Sequence, residues 1–122
     1  MILKIDTTQK DNIIISIKSS NKMLATKKIE ARYSQAEKLL PFIEEVLKEN
    51  NILLSNIKKI EVINKGEEKT GFTSLRIGVI TANALAFALG VPVEGNKGRE
   101  LNKKKYKFKI VKPIYHKKPN IT

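Results

Sequence analysis

Residues 74–89, Ser-Leu-Arg-Ile-Gly-Val-Ile-Thr-Ala-Asn-Ala-Leu-Ala-Phe-Ala-Leu, predict a helix that is apolar around nearly its whole circumference, with Arg76 its only charge. A helix without a polar stripe needs cover on both sides. In a chain of 122 residues a sheet can cover one side; the other is left to a second helix or to a partner. Thr73 is the expected N-cap and Gly90 the glycine just past the C-terminus. Ahead of the helix lies the turn-like stretch Thr70-Gly71-Phe72-Thr73-Ser74. Such a loop can offer backbone N–H groups at a helix N-terminus to an anion or to a partner's carbonyls.

The remaining elements follow from local pattern. Ile2 to Asp6 reads as a short apolar strand ending in small hydroxyl residues, Thr7 and Thr8, and the β-branched run Asn12 to Ser19 as a second strand. Ser20-Asn21-Lys22 is a turn, from which Met23 to Ile29 returns as the third strand of a meander. Ser34 followed by Glu37 has the spacing of a capping box, and Leu39, Leu40, Ile43, Val46 and Leu47 fall on one helical face. Pro41 conflicts with a start at Ser34, so a kink or a later start near Leu40 is expected, with Asn50-Asn51 ending the helix. Ile60 to Ile63 is a further strand, Val91-Pro92-Val93 begins another, and Tyr106 to Val111 alternates as a final edge strand. The order βββαβαβ implies an α/β fold with a mixed sheet, an antiparallel meander followed by right-handed crossovers.

Charge divides the chain. Residues 1–95 carry 14 Lys/Arg against 11 Asp/Glu, whereas residues 96–122 carry 10 against one. The expected organisation is a body over 1–95, a basic linker over 96–105 and a strand with a tail over 106–122. Clustered lysines give sequence-independent, salt-sensitive affinity for nucleic acids. The residues to carry it are Lys103, Lys104, Lys105, Lys107 and Lys109, although few aromatics accompany them for base stacking. Cysteine is absent, no run is long enough to span a bilayer, and the N-terminus lacks a signal-peptide pattern, so a cytoplasmic protein is expected. His116 is the sole histidine, which leaves no zinc set and no Ser/His/Asp triad, and no cofactor is implied. Asp6 serves either as an acid or as a strand-end acceptor of backbone N–H groups.

The apolar face of the first helix and the all-round apolar second helix together leave a surface that suits a partner. Gly78, Ala82 and Ala86, spaced by four, form a smooth ridge for close approach of another helix. An exposed apolar face of this size marks an interface. On this reading, Ala82→Glu breaks partner binding and leaves the monomer folded.

These segments resemble the TsaB (YeaZ) family. Phe72, Thr73, Leu75, Arg76, Ile77 and Gly78 match its Gly-Ser-Phe-Thr-Gly-Leu-Arg-Ile-Gly signature, and Ile2 to Thr8 is similar to its opening Ile-Leu-x-Leu-Asp-Thr-Ser. Glu37-Lys38-Leu39-Leu40-Pro41 resembles its first helix, Ala86 to Val93 its second helix exit, and Lys112 to Tyr115 its terminal Pro-x-Tyr segment. The resemblance implies an actin-like (ASKHA, ribonuclease H-like) lobe. It also implies a non-catalytic scaffold in the threonylcarbamoyladenosine modification of tRNA, paired through two helices with a catalytic TsaD subunit and joined by a TsaE-like ATPase. The matching positions are Leu39, Leu40 and Ile43 on the first helix and Leu75, Val79, Ala82 and Ala86 on the second, with Arg76 as an ion-pair donor beside them. A homodimer through the same helices is the alternative use of that face.

The sequence departs from the family pattern at Glu68 to Gly71, at Ser74, at Gln35-Ala36, and in lacking most of a second lobe. One lobe alone would not enclose a nucleotide, which places ATP turnover below two other readings: the scaffold, and an RNA-binding module acting through the lysine-rich tail.

Overall fold

In a computed structural model, which describes residues 1–9, 11–66, 71–96 and 110–114, the order is β1 (Ile2–Asp6), β2 (Asn12–Ser19), β3 (Lys22–Glu30), α1 (Gln35–Glu49), β4 (Lys59–Val62), α2 (Phe72–Leu89) and β5 (Val93–Gly95). The five strands form one sheet in the order β3-β2-β1-β4-β5. β1 pairs antiparallel with β2 and parallel with β4, and β4 pairs parallel with β5, so the expected mixed sheet and βββαβαβ order are present.

Strand alternation gives the sheet one apolar face. Leu3 and Ile5, Ile13, Ile15 and Ile17, and Ile60, Val62 and Val93 are all buried there. Registers such as Ile5 opposite Ile15 and Leu3 opposite Ile60 align them. Both helices pack on this face in a single core, α1 through Leu39, Phe42, Ile43, Val46 and Leu47, α2 through Val79, Ala82 and Ala86. Each such aliphatic side chain contributes about 1.5–3 kcal/mol by leaving water.

Several sequence expectations change. α1 runs from Gln35 through Pro41 rather than starting near Leu40. Pro41 is exposed, so the Glu37 carbonyl it leaves without an N–H partner is open to water. The Ser34 side chain makes no cap bond; its hydroxyl donates to the Arg32 carbonyl, and no capping box forms. α2 begins at Phe72 with Gly71 as N-cap, ahead of the expected Thr73, while Gly90 closes it at φ +67°, as glycine permits. β5 lies at Val93–Gly95, beginning after Pro92 rather than at Val91. Most of the expected strand over 106–111 lies outside the described residues; Ile110 and Val111, which are described, are not in a strand.

The opposite face of the sheet is polar. Lys18 on β2 reaches Glu61 on β4 at 2.7 Å, Lys59 lies 3.6 Å from Glu61, and Lys59 also pairs with Glu94 on β5. Burial pushes the Glu61 carboxyl up, but the hydrogen bond and charge of Lys18, aided by Lys59 and Lys4, outweigh it and hold the group below the usual range. A carboxylate with a depressed pKa stabilises the fold above its unfolded-state pKa and loses that contribution as pH falls through the folded-state value. The stability gap between the wild type and Glu61→Gln is therefore expected to be constant at neutral pH and to close below about pH 4. Urea titrations across that range check this.

Candidate functional site

α2 has two faces that differ in size rather than polarity. Inward are Leu75, Gly78, Val79, Ala82 and Ala86, all buried; outward are Arg76, Ile80, Ala84, Phe87 and Ala88, all exposed. The outward set recurs at helical spacing and includes two large apolar side chains, Ile80 at 57% and Phe87 at 70% exposure. On α1, Leu40 and Pro41 are exposed between Glu37 and Glu44, while Leu39 and Ile43 are buried. Of the eight residues that the sequence suggested for partner contact, Leu39, Ile43, Leu75, Val79, Ala82 and Ala86 thus lie inside the fold, and Leu40 and Arg76 lie on its surface.

The small-residue ridge has an inward use. A Cβ at Gly78 would stand 2.5 Å from the Thr7 hydroxyl oxygen, so the glycine allows α2 to lie against the end of β1. That hydroxyl donates to the Ser74 carbonyl at 2.6 Å, tying the first turn of α2 to β1. Asp6 accepts from the Thr8 N–H at 2.8 Å and the Thr8 hydroxyl at 2.5 Å, and so organises the turn after β1. Within the signature loop, Gly71 has an ordinary φ of −75° with open space where a Cβ would be, Thr73 is exposed and Ser74 is half-buried. Thr70 and the Phe72 side chain lie outside the described residues.

At the carboxyl end of β4, Asn64 is a junction. Its N–H donates to the Asn96 side-chain oxygen at 2.8 Å, its amide nitrogen donates to the Lys112 carbonyl at 2.8 Å, and its carbonyl accepts from the Ile114 N–H at 2.6 Å. Twenty-eight residues before Val111, Asn83 on α2 completes the docking of this segment. Its amide donates to the Val111 carbonyl at 2.7 Å and accepts from the Val111 N–H at 2.8 Å. Both backbone groups of Val111 are therefore satisfied by a side chain instead of a strand ladder, and its own side chain is buried. Lys103, Lys104, Lys105, Lys107, Lys109 and His116 all fall outside the described residues.

A family model described as TsaD, tRNA N6-adenosine threonylcarbamoyltransferase, matches residues 28–96, more than half of the chain. The chain belongs to that family. Within it the likeness is to TsaB (YeaZ). YeaZ from Pseudomonas aeruginosa superposes with a TM-score of 0.67 at 26% identity, covering 82% of this chain and 44% of that one. A second crystal structure, of an uncharacterised protein with similarity to peptidase YeaZ from Pseudomonas aeruginosa, gives 0.68 and 26%, covering 82% of this chain and 43% of that one. The chain thus spans under half the length of the structures it matches. No curated protein matches it significantly. The fold is accordingly the ribonuclease H-like, actin-like one of YeaZ.

Several residues that hold this TsaB-like fold together were missed in the sequence. Gln35 stands where the family pattern has histidine; it is buried, and its amide donates to the carbonyls of Thr7 at 3.1 Å and Asn12 at 2.9 Å. Asn83 carried a signal, as a poor helix former amid alanines and leucines. Asn64 carried none, because both its side-chain partner and its backbone partners are distant in sequence. Among the described residues no group of His, Asp or Glu could hold a metal ion, and no helix is long and apolar enough to cross a membrane.

Proposed function

We propose that the chain is a non-catalytic TsaB-like scaffold that binds and supports a TsaD-like tRNA N6-adenosine threonylcarbamoyltransferase. The observation that carries this reading is the outward strip of α2, where Ile80 and Phe87 present large apolar side chains at helical spacing on a family fold. Arg76 in the first turns of α2 and Leu40 on α1 are exposed as well. Leu39, Ile43, Leu75, Val79, Ala82 and Ala86 support it from beneath by fixing how the helices sit on the sheet. A homodimer would use the same strip and compete with the heterodimer, and a TsaE-like ATPase would join the assembled pair.

Co-purification with the TsaD-like subunit of the same organism tests the reading. Ile80→Glu is expected to weaken that complex at least 30-fold, as loss of a central apolar anchor worth about 2 kcal/mol or more does. The fold should survive, because the site is exposed. Full-strength binding by this variant would remove the α2 strip from the interface.

A further inference from the structure

Asn83 lies three residues after Ile80 and four before Phe87, so the three side chains project on one side of α2. An amide is a poor choice for the middle of an apolar helix, and here it works as a clamp. It accepts from the Val111 N–H at 2.8 Å and donates to the Val111 carbonyl at 2.7 Å. Asn64 holds the residues that follow, through the Lys112 carbonyl and the Ile114 N–H. The segment 110–114 is thus a strap fastened twice, to α2 and to the end of β4. Its first two side chains divide: Val111 is 7% exposed and joins the core, whereas Ile110 is 54% exposed and takes no part in it. The bond to the Val111 N–H brings the Cα of Ile110 within about 5 Å of the Asn83 amide oxygen. Ile110 therefore stands beside the α2 strip, at the level of the turns between Ile80 and Phe87.

We propose that the docking surface on α2 is a composite of helix and strap, in which Ile110 adds to Ile80 and Phe87 and Asn83 is the positioning residue that holds it there. The inference rests on the scaffold reading, and its occupant is the TsaD-like subunit of that reading. The core uses Val111 and leaves Ile110 to the surface, continuous with the apolar side chains of the strip. Because the strap is already fastened, a partner meets Ile110 without the entropy cost of ordering a loose segment. Docking of the strap and binding of the partner are then coupled, each favouring the other by the same factor.

Calorimetric titration of the full chain with the TsaD-like subunit, combined with hydrogen exchange at the Val111 amide of the free chain, tests the proposal. Ile110→Gln is expected to weaken the complex about 10-fold and to leave Val111 exchange unaltered. Asn83→Ala is expected to speed Val111 exchange by about 10-fold or more and to weaken the complex as well. Alanine is the best helix former, so α2 itself does not suffer from that change. In the Asn83→Ala background, Ile110→Gln should cost little more, since the strap is already loose. Full-strength binding by Ile110→Gln, or by Asn83→Ala with fast Val111 exchange, would overturn the composite surface. If Ile80→Glu weakens the complex and Ile110→Gln does not, the composite falls and the scaffold reading stands. Absence of any complex with the wild type would overturn both.

Discussion

Ala82→Glu is expected to leave the chain unfolded, with no cooperative thermal transition and the far-ultraviolet spectrum of a disordered polypeptide. Ala82 is fully buried between α2 and the sheet, in the same core as Ile60, Val62 and Val79. An ionised carboxylate there has no partner and costs several kcal/mol, and its neutral form still overfills a site shaped for a methyl group. The sum is about 5 kcal/mol or more, comparable to the whole stability of a small domain. This reverses what the sequence suggested, that the substitution would leave a folded monomer deficient in partner binding. A folded Ala82→Glu chain that fails to bind its partner would show that the small-residue face of α2 is available at the surface.

Gly95→Ala is expected to be the most costly single-methyl change. A Cβ at Gly95 would stand 2.5 Å from the Asn64 amide carbon and 2.9 Å from its nitrogen, and so would displace the amide as a whole. Asn64 is 3% exposed, and moving its amide breaks the bond to the Lys112 carbonyl. Overfilling costs about 1–3 kcal/mol, and each hydrogen bond lost at a buried group adds about 1. A total of about 3 kcal/mol should appear as a lower urea midpoint without a change in slope. In an Asn64→Ala background the same methyl meets little, so the cost of Gly95→Ala should fall below about 1 kcal/mol. Additive costs in the two backgrounds would mean that Gly95 is needed for some reason other than its contact with Asn64.

The strands with their own composition were legible in advance. Ile2 to Asp6 and Asn12 to Ser19 were read to the residue because isoleucine-rich runs end in turn formers. α2 was legible as a helix but not in its orientation. A helix apolar on every side carries no periodicity to say which face turns inward, and size decided it: Gly78, Ala82 and Ala86 face the sheet because only small residues let the backbone come so close to Thr7. The small-residue ridge is therefore part of the core and not a surface. The sequence does not choose between a helix that passes through Pro41 and one that starts near Leu40, because it does not say that Pro41 is exposed. The docking of 110–114 was not legible at all, since it depends on single asparagines meeting backbone groups far along the chain.

The sheet order also governs how the chain must be made. β1 sits at the centre of the sheet, yet its parallel neighbour β4 begins 53 residues after β1 ends, at Lys59. On a ribosome the meander β1–β3 is synthesised first, with one side of β1 lacking its hydrogen-bonding neighbour and Leu3 and Ile5 lacking their helices. At translation rates of 5–20 residues per second, that open edge persists for about 3–11 s before β4 is made. A nascent chain of this topology is thus a ready substrate for chaperones that shield strand edges, and slow codons between Glu30 and Lys59 would lengthen its exposure.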